Sequence, residues 1–359
     1  MEKSITEIND IRQPPQFKGY SFSNYKNAEV KKIFKENMIK GKIEPACYWC
    51  AELICAGHFI DAWECIINYV GKHIHLGNPK LIIYLEMRYG IFRDIMSKGN
   101  YITELQLRNN IKIRKLFAEV ISMITLSNKK HSFEAIKINR AEEYDITQMT
   151  ERLKAPSTQY VDKIFRKKDP KELLIAVNEF TYSISPERRN MTAACYWYEW
   201  VIEFDNICKK RKEQCYCVRR DFPVENKYQC DIVWILWDAI QHYCDELNNT
   251  YISKLMNAVI TIFCIKYTTA VCKKRRYLFY FAVALLTEPV PTNIELITDK
   301  DTVSAVIDNI DHIYKQIKKN EVSPNTDYLF SNLEKENTFE KSMRKLEMMD
   351  SLANLSDDD

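Results

Sequence analysis

Apolar residues along this chain return at three- and four-residue intervals rather than at every second position. The clearest case runs from Asp301 to Lys319, where Val303, Val306, Ile307, Ile310, Ile313, Tyr314 and Ile317 form one stripe on a helical wheel. The same periodicity predicts helices over 45–56, 59–70, 79–89, 111–127, 170–183, 187–212, 228–247, 251–272, 274–287 and 301–319. No sustained apolar/polar alternation is bounded by hairpin turns, and the short β-branched runs lie inside longer helical patterns. The predicted fold class is all-α: a multi-helix array or bundle of short and medium helices.

Proline and glycine punctuate that pattern. Pro45, Pro79, Pro170 and Pro186 stand where a first helical turn tolerates a missing N–H, and Asn78, Asp169 and Ser185 precede three of them as capping side chains. Gly57, Gly71 and Gly90 sit where helices would stop. Thr292 and Glu295 have the spacing of a capping box ahead of the last helix. The chain divides into an N-terminal arm (1–35), a helical domain (36–128), a mixed-polar linker (129–168), a second helical domain (169–319) and an acidic tail (320–359). One echo links the two domains: Ala46-Cys47-Tyr48-Trp49 returns as Ala194-Cys195-Tyr196-Trp197. Two related helical halves are one reading of that echo, and coincidence on two aromatic helices is the other.

Composition narrows the chemistry. Only 7 of 359 residues are glycine, and the last of them is Gly99. Gly-rich phosphate loops, nucleophile elbows and dinucleotide-binding turns are thereby excluded from the rest of the chain, and the first hundred residues lack their spacings. Net charge is +3, unevenly placed: Glu321–Asp359 holds ten acidic against four basic residues, leaving the body basic. The polar N-terminus has no apolar leader, and the 12 cysteines, several within apolar helical runs, read as free thiols in a reducing cytosol. No apolar stretch reaches the roughly 20 residues a membrane span requires.

The residues that could carry chemistry are few. Cys208, Cys215, Cys217 and Cys230 could in principle close a tetrahedral zinc site, but their spacing departs from paired knuckles. His73 with His75, Asp238 with His242, and Glu199 with Glu203 lack the Glu-x-x-His pairs of a di-metal bundle and read as solvated or core-satisfied groups. No catalytic residue, metal ligand set or cofactor is expected. The strongest signal is basic: Lys209, Lys210, Arg211, Lys212, Arg219, Arg220, Lys273, Lys274, Arg275 and Arg276, with tyrosines nearby, suit contact with a phosphate backbone. Lysine-rich helix ends that simply complement the helix dipole are the commoner origin of such clusters. Tyr48, Trp49 and Trp63 are the candidate partner-binding aromatics.

The segment Lys40–Ile83, with its A-C-Y-W, A-G-H and KHIHLGNPKL runs, resembles helical proteins of uncharacterised role in the nucleocytoplasmic large DNA viruses, the giant viruses. Over about 45 residues it is also similar to the C-terminal oligomerisation collar of clamp-loader-type AAA+ proteins, through Lys40, Gly41, Ala46, Tyr48, Trp49, Ala56, Gly57, Pro79 and Leu81. No Walker A or Walker B segment accompanies it, so the resemblance carries no ATPase. What it implies is a non-enzymatic scaffold or adaptor of a large DNA virus. Such a protein would work by self-association, protein contacts and nucleic-acid backbone binding in viral DNA processing, in the host cytoplasm or viral factory. A minor or internal capsid protein of the virion is the alternative.

Overall fold

The expected helices form in a computed structural model that describes residues 6–99, 101, 103–140, 144, 151–213, 215–322 and 343. They are α1 (Asn27–Ile39), α2 (Ile43–Cys55), α3 (Phe59–Tyr69), α4 (Lys80–Lys98), α5 (Ile111–Leu126), α6 (Leu174–Ile184) and α7 (Met191–Arg211). The second half continues with α8 (Val233–Leu247), α9 (Thr250–Cys264), α10 (Val271–Lys274), α11 (Arg276–Thr287), α12 (Lys300–Asp308) and α13 (Ile310–Lys318). Among the described residues there is no strand, and only isolated bridges join Tyr20 to Lys26 and Tyr216 to Asp231. The fold is all-α.

Asparagine and aspartate start several of these helices. Asn110 accepts from Lys112 N at 2.8 Å at the head of α5, Asn190 from Ala193 N at 2.8 Å at α7, and Asn249 from Tyr251 N at 3.0 Å at α9. Each such cap contributes about 1 kcal/mol. Asp299, rather than the Thr292/Glu295 pair, caps α12 by accepting from Thr302 N at 2.9 Å. Pro186 likewise yields to Asn190: the chain turns through Arg189, at φ 47°, before α7 begins.

Tertiary packing overrode four local signals. Residues 27–35 of the expected arm belong to α1, because Val30, Phe34 and Met38 bury one face of that helix against α2. Gly90 does not end α4. The helix runs on to Lys98 because Phe92, two residues further on, packs into an aromatic cluster with Phe59, Trp63 and Phe117. That burial outweighs the ~1 kcal/mol a mid-helix glycine costs. Conversely, the run 251–272 stops at Cys264, where the Arg275 guanidinium donates to the carbonyls of Phe263 and Ile265 at 2.7 Å each and of Ile262 at 3.2 Å. The last stripe is interrupted at Asn309, which separates α12 from α13.

Buried apolar side chains form one continuous core from Ile8 to Ile317. In the first half α2 packs against α1, α5 and α13, while in the second α11 packs against α7, α8 and α9. The halves meet where α4 lies on α9 and where the turn after α3, residues 70–77, lies on α11. Gly71 permits that second contact, since a Cβ there would stand 3.1 Å from the backbone of Tyr277 and Leu278. Residues 130–132 run beside this turn, with Ser132 N donating to Lys72 O at 2.8 Å. The Ala-Cys-Tyr-Trp echo occupies the second turns of α2 and α7, each the second helix of a hairpin, α1–α2 and α6–α7. Of the acidic tail, residues 323–359 other than Met343 lie outside the described residues.

Candidate functional site

The junction of the two halves makes a cleft of about 520 Å³. On α1, Val30, Phe34 and Met38 point inward, which leaves Lys31, Lys32 and Lys35 on the outer side. Asp61, Glu64 and Cys65 of α3 form a second wall, and the turn after α3 adds Lys72 and His73. From the other half, the α10–α11 junction supplies Lys274 and Tyr277. Five lysines thus face one concavity shared with two carboxylates.

Both carboxylates already have partners. Asp61 accepts from Lys31 at 2.9 Å, and Glu64 is held by Arg275, whose side chain is almost wholly buried. Lys72 meets the exposed Glu134 at 2.8 Å, and its ammonium lies 4.9 Å from the centre of the Tyr277 ring. Among the described residues no salt bridge within 4 Å involves Lys35 or Lys274, and both are exposed. His73 is 9% exposed and lines the cleft. Its Nδ1 lies 2.9 Å from His131 Nδ1, while its Nε2 has no hydrogen-bond partner. Burial, reinforced by His131 and nearby lysines, pushes its pKa down to about 4, so the ring is neutral at physiological pH.

The basic residues expected to meet phosphate divide sharply. Lys209, Lys210, Arg211 and Lys212 form the exposed end of α7, Arg219 is exposed on the following segment, and Lys273 is exposed on α10. They are not spread at random. Lys273 reaches Glu203 of α7 at 3.3 Å, and the charge of Lys209 is felt at the neighbouring Cys272. Lys274 turns the other way, into the cleft. Arg276 is partly covered and pairs with the buried Glu199 at 3.3 Å, which also accepts from Tyr280 at 2.8 Å.

Arg220 and Arg275 correct the sequence reading, because both are interior. Arg220 is 1% exposed; it pairs with both oxygens of Asp169 at 2.6 and 2.7 Å and with Asp238 at 2.7 Å. Arg275 caps α9 and holds Glu64. Neither can reach a phosphate, since every N–H is turned inward and a guanidinium cannot be exposed without abandoning those bonds. Trp63 is corrected likewise: it is 1% exposed, enclosed by Tyr89, Phe92 and Phe117. Tyr48 and Trp49 stay half-buried, Trp49 meeting the exposed Tyr25 edge-on at 5.4 Å.

The remaining candidates are placed by structure too. Asp238 faces Arg220, whereas His242 pairs with Glu246 at 3.1 Å, so the two do not form a unit. His75 packs inside against Phe281, and Glu203 is shared by Arg140, Lys273 and Asn206. Among the described residues no three His, Cys, Asp or Glu side chains converge as a metal site. Cys217 donates to Asp231 O at 3.3 Å, and burial pushes the Cys215 and Cys217 thiols up to about 12. Sequence reasoning missed Lys31, Lys32, Lys35 and Lys72. The signal that could have found the first three was the V-K-K-I-F-K spacing, which sets lysines opposite Val30 and Phe34 on one helix.

Fold and site together define an all-α protein with a lysine-lined cleft between two helical halves. No known protein family, curated protein or solved structure matches the chain. Among the described residues no helix is long and apolar enough to cross a membrane.

Proposed function

We infer that the protein is a non-enzymatic helical scaffold or adaptor that holds nucleic acid by its phosphate backbone. The observation that carries this reading is the exposed band of Lys209, Lys210, Arg211, Lys212 and Lys273, with Arg219 exposed on the segment that follows α7. These side chains present long cations that outnumber the carboxylates beside them: Asp205 pairs with Lys209, Glu203 with Lys273, and Glu213 and Asp221 are exposed in the same stretch. That is chemistry for phosphate contact without base readout. Tyr48 and Trp49, half-exposed at the head of α2, supply the protein-contact surface. The resemblance of Lys40–Ile83 to helical proteins of large DNA viruses supports a role in viral DNA processing, in the host cytoplasm or viral factory.

The test is retention of duplex DNA by the full chain across a salt series. Binding through the band gives a linear fall of log affinity with log salt, with a slope of about −0.9 per phosphate neutralised. The triple variant Lys210→Glu, Arg211→Glu and Lys273→Glu should lower that slope by roughly three. An unchanged slope removes the band from the interface. Retention that is independent of salt overturns the reading altogether.

A further inference from the structure

We propose that the cleft between α1, α3 and the α10–α11 junction is a discrete site for an oligophosphate group, one carrying two or more linked phosphates. It goes beyond backbone binding, because its lysines are distinct from the exposed band and its shape is different. A cleft of about 520 Å³ is the size of a small-ligand pocket. Lys31, Lys32, Lys35 and Lys72 come from the first half and Lys274 from the second, so both halves contribute lysines to its walls.

Charge sets the ligand class. Five lysines and two carboxylates leave an excess of three positive charges on the walls. Lys35 and Lys274 are free of carboxylates, while Arg275 draws Glu64 back into the interior and Lys31 neutralises Asp61. A single phosphate, at about −1.5 to −2, would leave part of that excess unmatched, whereas two or more linked phosphates meet it. Lysine suits the task, since it meets phosphate as a point charge from any direction. Tyr277 lines the same cleft, its ring already under the Lys72 ammonium.

The same oligophosphate chemistry can arrive as a free nucleotide, as inorganic tripolyphosphate or as the 5′ end of an RNA. Calorimetric titration of the full chain with inorganic tripolyphosphate at physiological salt tests the site itself. The expected result is saturable one-to-one binding that the Lys35→Glu/Lys274→Glu double variant weakens tenfold or more, roughly the loss of two charge contacts. The band variant Lys210→Glu/Arg211→Glu should bind tripolyphosphate as the wild type does. Duplex retention by Lys35→Glu/Lys274→Glu should in turn persist, so failure of one reading leaves the other standing. Parallel titrations with a nucleoside triphosphate and with 5′-triphosphate and 5′-hydroxyl oligonucleotides assign the source. No saturable tripolyphosphate binding, or equal affinity in Lys35→Glu/Lys274→Glu, overturns the proposal. Circular dichroism of these exposed-site variants guards against loss of fold.

Discussion

Replacing Arg220 by methionine separates an interior role from a surface one. The Arg220 side chain has no solvent exposure and makes five hydrogen bonds: two to Asp169, one to Asp238, and one each to the carbonyls of Val218 and Ile164. Methionine fills much of the volume but supplies no donor. Asp169, whose side chain is also fully buried, would keep only the backbone N–H groups of Arg166 at 2.8 Å and Val218 at 2.7 Å. Removing one member of such a pair costs about 3–5 kcal/mol, because the other charge stays buried without its partner. Burial by itself would raise the Asp169 pKa, but the Arg220 hydrogen bonds and the two backbone donors hold it below its ordinary 3.8. The stability contributed by that depression is present above about pH 4 and is lost as pH falls through the lower folded value. Urea unfolding of Arg220→Met should therefore show the full loss near pH 7 and a smaller one below about pH 4. A loss under ~1 kcal/mol, accompanied by a weaker salt slope for DNA, would refute the interior assignment and restore Arg220 to the surface.

Three further outcomes follow from the packing. Gly77→Ala places a Cβ 2.6 Å from Lys130 N and 2.7 Å from Asn128 O, so it should cost about 1–3 kcal/mol in urea unfolding; a neutral result would mean that residues 128–130 yield freely. Trp63→Ala should lose about 3–5 kcal/mol in the same assay while Trp49→Ala loses about 1 kcal/mol or less, and equal losses would contradict their different burial. Burial depresses His73 and His75 to about 4, so the unfolded chain takes up protons first as pH drops. Stability should then fall between about pH 6.5 and 4, and His75→Gln should flatten that fall; an unchanged pH profile would place His75 in solvent.

How far the sequence could be read depended on the range of the interaction involved. The α2, α3 and α5 segments were legible because apolar spacing and Asn or Gly punctuation act within one turn: Gly57, at φ 83°, ends α2 as its position implies. Gly90 was misleading because the decisive contact, Phe92 against Trp63 and Phe117, joins residues far apart in the chain. The run Lys273-Lys274-Arg275-Arg276 shows the same division within four residues. Sequence marks all four as cations, yet Lys273 faces solvent, Lys274 the cleft, Arg275 the end of α9 and Arg276 the buried Glu199. A break between α10 and α11 sends consecutive side chains in different directions, and no local rule specifies that break.

Periodicity, sparse glycine and missing phosphate-loop spacings were enough to set an all-α chain apart from the common nucleotide-binding folds, because each is a property of neighbouring residues. Which arginines are structural and which lysines share a cleft was decided only by tertiary packing. Burial depends on what lies opposite, and for Arg275 that is Glu64, 211 residues away along the chain.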